Sequence, residues 1–178
     1  ISASSSSASS SLPKSLSMTA GTSIEIGTDS DLLIGYNGNM TLTAKGGDVD
    51  LLDYASAIIG NDGNITMTAS VNVDLGAGTL TKVGNAGNVS LTATNGDITT
   101  GNPTRVTTAT GDITFTAAQD ILLSQFTTVD IQNAGNIAMT ATAGQISTGQ
   151  YSAIKIGAAT GTAGNNGDID LTAGTDIV

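Results

Sequence analysis

The chain has no cysteine, no histidine and no tryptophan. Without cysteine there is no disulfide framework and no thiolate metal site. Reducing and oxidising compartments are equally compatible with that. Without histidine the commonest general base and metal ligand is missing, and a Ser/His/Asp arrangement is impossible. Aromatic residues make up 3% of the 178 positions and charged residues 11%, with 2 prolines. The 5 basic residues stand against 15 acidic ones, for a formal net charge of −10. Nucleic acids and anionic membranes both need basic patches, so neither is an expected partner. No apolar run approaches a membrane span, and no membrane insertion is expected. No basic-then-apolar leader is visible and the chain opens on Ile1, which predicts a processed product or an excised piece of something longer.

What the chain has is a repeat. One phrase, large apolar, any residue, large apolar, Thr, Ala, occurs seven times. Its copies begin at Leu16, Met40, Ile65, Val89, Ile113, Ile137 and Ile169, at intervals of 24, 25, 24, 24, 24 and 32 residues. A strand-containing repeat of that length marks a solenoid, in which each coil buries its inner face against its neighbours. Period-two alternation places Ile65, Met67 and Ala69 on one face and Thr66 and Thr68 on the other. A second short strand follows, as in Gly47 to Leu51, Val71 to Leu75 and Asp120 to Leu123, and a third precedes the return turn, as at Ile58-Ile59 and Leu80 to Val83. The return turn is often Gly-x-x-Gly, where glycine supplies positive φ at no steric cost.

These features predict an all-β fold: a right-handed parallel β-helix (β-solenoid) of about seven coils of ~24 residues, three strands per coil. Residues 1–15 read as a Ser-rich N-terminal tail or linker. Residues 16–178 read as the β-helix, with a surface loop inserted at 157–167. The expected core includes Ile65, Met67, Val89, Leu91, Ile113, Phe115, Ile137 and Met139.

The run Gly87-Asn-Val-Ser-Leu-Thr-Ala-Thr-Asn-Gly-Asp-Ile98 resembles the repeats of filamentous-haemagglutinin-like exoproteins, very long bacterial surface β-helices, many of them secreted by the two-partner route. The resemblance covers roughly Leu16 to the end. It implies an extracellular or cell-surface location, a role in adhesion or surface structure, and a receptor or glycan on a host or neighbouring cell as partner.

Residues with chemical potential fall into columns. Asp48, Asn72, Asp97, Asp120, Gln145 and Asp176 open the second strands and should stack. Asp97 and Asp120 are neighbours there at roughly one strand spacing, ~5 Å, which suggests a calcium site. Asp and Asn are also good turn formers, and the Gly-Gly-x-Gly-x-Asp nonapeptide of calcium β-rolls is missing, so no metal and no cofactor is expected. Asn39, Asn64, Asn88, Asp112, Asn136 and Asp168 form a second column, expected to be an amide ladder weakened at its two Asp members. Paired carboxylates could serve a carbohydrate-binding or cleaving β-helix. The basic residues Lys14, Lys45, Lys82, Arg105 and Lys155 are spread across the repeats, and the aromatics Tyr36, Tyr54, Tyr151 and Phe126 show no cluster. No catalytic residue is assigned and no enzyme activity is expected.

The outward positions of the repeated phrase form a third feature. Thr19, Thr41, Thr43, Thr66, Thr68, Thr92, Thr114, Thr116, Thr140 and Thr172, with Ser17 and Ser90, make two rows interrupted by Ala138 and Asp170. Such a Thr-x-Thr face is similar to those of ice-binding proteins. Threonine also simply suits a solvated strand face.

The ends are the last feature. An exposed coil end is an open sheet edge, which templates further pairing. Candidate assembly residues are Ile1, Leu12, Leu16 and Met18 at one end and Asp176, Ile177 and Val178 at the other. The expected function is therefore a non-catalytic extracellular structural protein: a surface filament subunit polymerising end to end, or an adhesin segment.

Overall fold

The computed structural model describes residues 3–4, 15–157 and 167–178. Among these there is no helix, and all strands are paired in parallel. Three sheets form the three sides of a β-solenoid. The first side carries the repeated phrase: Leu16–Ala20, Met40–Ala44, Ile65–Ala69, Val89–Ala93, Ile113–Ala117, Ile137–Ala141 and Ile169–Ala173. The second carries Ile24–Ile26, Val49–Leu51, Val73–Leu75, Ile98–Thr100, Ile121–Leu123 and Ile146–Thr148. The third carries Ala3–Ser4, Asp31–Ile34, Ser56–Ile59, Thr79–Ala86, Thr104–Thr110, Thr128–Ile131 and Ala153–Ile156.

The number of coils differs from the expected seven. The second side has 6 strands, so six coils are three-sided. Of a seventh, the structure contains a full first-side strand and a single bridge, Ile177 to Ile146. A further second-side strand, Ile24–Ile26, stands ahead of those read from the sequence.

Register explains the core. On the first side each phrase pairs with the next, residue for residue, so Met40, Ile65, Val89, Ile113 and Ile137 stack in one inward ladder. Leu42, Met67, Leu91, Phe115 and Met139 form the next, and the conserved-length spacing keeps Ala44 to Ala141 in a third. All of these side chains are buried. Burying one Ile, Leu or Met contributes about 1.5–3 kcal/mol, and here every coil repeats the gain on its neighbour. The outward threonines between them are half-buried in the middle coils, because identical strands flank them above and below, and exposed only at the end coils, at Thr19 and Thr172.

The tail and the insertion are partly described. Ala3–Ser4 pairs in parallel with Leu32 and Leu33, one coil ahead of the first third-side strand. Ile1, Leu12 and the rest of the tail before Ser15 lie outside the described residues, as does the expected loop between Gly157 and Gly167.

Candidate functional site

The turn columns turn out to be hydrogen-bond ladders. Along the corner between the first and second sides, the side-chain oxygen of one residue accepts the backbone N–H of its counterpart on the next coil. Asp48 Oδ1 accepts from Asn72 at 2.8 Å, Asn72 Oδ1 from Asp97 at 2.9 Å, Asp97 Oδ1 from Asp120 at 2.8 Å and Asp120 Oδ1 from Gln145 at 2.7 Å. The Asp97 and Asp120 carboxylates are thus used by the backbone. No group of three or more acidic side chains among the described residues is placed to hold a metal ion.

The same device runs along the corner between the third and first sides. Asn39, Asn64, Asn88, Asp112 and Asn136 each offer Oδ1 to the next backbone N–H, at 2.9, 2.9, 2.7, 2.8 and 3.0 Å. Side-chain to side-chain bonds are secondary here, at 3.3 Å for Asn64 to Asn39 and 3.2 Å for Asn136 to Asp112. This corrects the expected amide ladder. An acceptor oxygen is all the column needs, so Asp112 serves as well as an Asn and weakens nothing.

A carboxylate column escaped the sequence reading. Glu25, Asp50 and Asp74 sit in register at the centre of consecutive second-side strands and point outward. Thr99 donates its hydroxyl to Asp74 at the end of the row. Partial burial, then the Asp74, Asp48 and Glu25 carboxylates, push the Asp50 carboxyl up to about 6. The available signal was the middle residue of each second strand, where acids occupy three coils in succession.

On the first side, the row Thr19, Thr43, Thr68, Thr92, Thr116, Thr140 and Thr172 is continuous in register. Its companion row, with Thr41, Thr66 and Thr114, is broken by Ala138 and Asp170 as its spacing required. On the outer face of the third side stand Lys82, Arg105 and Lys155, three of the five basic residues, each on a different coil. Arg105 reaches Asp130 at 3.3 Å, the only ion pair among the described residues.

The corner between the second and third sides brings together residues that the sequence left apart. Counting from the strand registers on either side, Asp29, Tyr54, Gly78, Pro103, Phe126 and Tyr151 occupy one position on six consecutive coils. Three of the five aromatic residues therefore share one edge of the rod. Phe126 and Tyr151 stack with ring centroids 5.1 Å apart and planes 15° from parallel. The Tyr54 ring lies against Gly78, where a Cβ would collide with it. Tyr36 stands at the opposite corner and Phe115 is core. The signal was positional: each of these aromatics is the third residue after a second-side strand, behind Asp53, Gln125 or Gln150.

At the coil ends, Ile169, Ile177 and Val178 are 45, 54 and 70% exposed, whereas Ile137 and Ile146 beneath the first two are fully buried. Leu16 and Met18, at the other end, are partly buried. The fold is compatible with β-helix repeat proteins in general. No protein-family model, no curated protein and no solved structure matches the chain.

Proposed function

We propose that the protein is a structural element of an extracellular surface, a β-helical rod that is lengthened by stacking further coils on its ends. The observation that carries this reading is the end face itself. Ile169 and Ile177 expose apolar side chains in the positions that inner coils bury completely. A further coil laid on them removes that surface from water and satisfies the open sheet edges. A second copy has the matching shape. Its Ala3–Ser4 strand sits one coil ahead on the third side. Ala153–Ile156 is the last third-side strand on the rod, while the first and second sides reach one coil further. Stacked head to tail, the Ala3–Ser4 strand of one copy falls beside Ala153–Ile156 of the other, and all three sheets run on. The contact is heterologous and gives an open filament. In the adhesin form of this reading, likened above to filamentous-haemagglutinin-like repeats, the next coil comes from more of the same chain. The Thr face is accounted for by the preference of threonine for a sheet surface.

Electron microscopy and sedimentation of the 178-residue protein test the proposal. Rods whose length grows with concentration are expected, and Ile177→Asp or deletion of residues 1–12 should return them to single units. A chain that remains monomeric at high concentration overturns end-to-end stacking of copies.

A further inference from the structure

We propose that the Glu25, Asp50 and Asp74 row is a pH-sensitive clasp, which tightens the first three coils on acidification and leaves the last three unchanged. The argument begins with register. Glu25 pairs with Asp50 and Asp50 with Asp74, at the centres of three adjacent parallel strands. Neighbouring strands lie roughly 5 Å apart, so each acid meets the next at close range. Like charges held side by side destabilise the pairing of the strands that carry them. No cation offsets this among the described residues. Lys82, Arg105 and Lys155 stand on the third side, and Lys45 follows the first-side strand Met40–Ala44. The ion pair of Arg105 with Asp130 does not involve the row.

The three acids are not equivalent. Glu25 is exposed at the outer end of the row. Asp74, at the inner end, accepts the Thr99 hydroxyl from the fourth coil. Asp50 is half-buried between them and also faces Asp48 at the corner of its own coil. Its hydrogen-bond partner is the Asp74 side chain. An ionised carboxylate only accepts, so two carboxylates bond to one another only with a proton between them. Burial, then the Asp74, Asp48 and Glu25 carboxylates, raise the Asp50 carboxyl from the ordinary 3.8 to about 6. The folded chain therefore holds this proton more tightly than the unfolded one. The stabilisation is complete below the ordinary carboxylate range and is lost as pH rises through about 6. The chain has no histidine, the side chain that usually titrates between pH 5 and 8, so a response in that window has no imidazole origin.

The row also stops halfway along the rod. Beyond Asp74 its register positions are taken by Thr99, Leu122 and Ser147, none of them charged. In a solenoid each coil contacts only its neighbours, so one part opens without the rest. Acidification should therefore strengthen Ile24–Ile26, Val49–Leu51 and Val73–Leu75 and pass over Ile98–Thr100, Ile121–Leu123 and Ile146–Thr148. One half of the rod answers to pH and the other does not. The row lies along the side of the rod, and the clasp does not rest on end-to-end stacking.

Hydrogen exchange of the 178-residue protein tests the proposal, followed by mass spectrometry at pH 8 and pH 5 and corrected for intrinsic exchange rates. With the carboxyl at about 6, opening of the first three second-side strands should be about tenfold rarer at pH 5. The last three should open equally often at both. Asp50→Asn places a permanent donor where the proton sits. It should be protected at pH 8 at least as well as wild type at pH 5, and its first three strands should lose the pH response. Asp170→Asn, an acid on the first side and outside the row, should keep the wild-type response. Three results overturn the proposal: equal protection of the first three strands at the two pH values in wild type, a gain shared by all six strands, or a response that survives Asp50→Asn.

Discussion

At the corner between the third and first sides, positive φ is taken by Gly38, Gly63, Gly87, Gly111 and Gly135, at 154, 145, 154, 119 and 148°. At the corner between the second and third sides it is taken chiefly by Asp29, Tyr54, Phe126 and Tyr151, at 57 to 61°. The first set lies largely in territory that only glycine enters, and there is a second reason for glycine. A Cβ on Gly63, Gly87 or Gly135 would collide with the carbonyl oxygen of the glycine one coil earlier. Backbone packs on backbone at that corner. At the other, the chain needs only the ordinary left-handed conformation and the side chains point away from the rod. The glycine corner is dictated by the stacking of coils. The aromatic corner is permitted by it.

Substitutions at the two corners should differ accordingly. The largest effect is expected for Gly87→Ala, which combines a forbidden φ with a collision against Gly63. Displacing stacked backbone should cost at least about 3 kcal/mol, read as a fall in melting temperature of roughly 6–12 °C. A melting temperature within two degrees of wild type would mean that the corner yields and the comparison fails. Gly78→Ala should cost less, about 1–2 kcal/mol, since its φ of 73° is strained but the obstacle is the Tyr54 ring, which is free to swing outward. In a Tyr54→Ala background that cost should shrink to the backbone share, and a double-mutant cycle measures the difference. The smallest effect is expected for Phe126→Gly. Losing the stack with Tyr151 costs about 0.5–1.5 kcal/mol and relief of left-handed strain returns a similar amount, so melting should change little. A drop of several degrees would show that the ring holds the corner together.

The fold was readable because one period governs three kinds of contact. The spacing of Leu16, Met40, Ile65, Val89, Ile113, Ile137 and Ile169 sets the pairing register, and period-two alternation then fixes which residues face inward. The carboxylate and amide columns were located correctly but their use was not. Sequence position cannot show that Asp97 Oδ1 will meet the Asp120 N–H rather than a cation. The Glu25, Asp50 and Asp74 row and the aromatic corner were missed for a common reason. Both are columns in space set by position relative to the short second-side strands: Asp50 and Asp74 share the triplet Val-Asp-Leu, but Glu25 and the aromatics belong to no such common phrase. Tyr54 and Phe126 have Gly78 and Pro103 between them in the column, so no two adjacent coils repeat an aromatic until Tyr151. Only the registers of the flanking strands bring those positions into line.

The side-chain ladders and the 24-residue period also fix how much chain the rod holds in reserve. One coil advances the rod by about 4.8 Å. The 24 residues wound into it would span about 80 Å if drawn out straight. Each Asn or Asp oxygen ties a coil to its successor alone, so the links are in series and release of one leaves the rest bonded. Under a pull along its axis such a molecule pays out length in equal increments, each some sixteen times the height it occupied, and the part still wound keeps its shape.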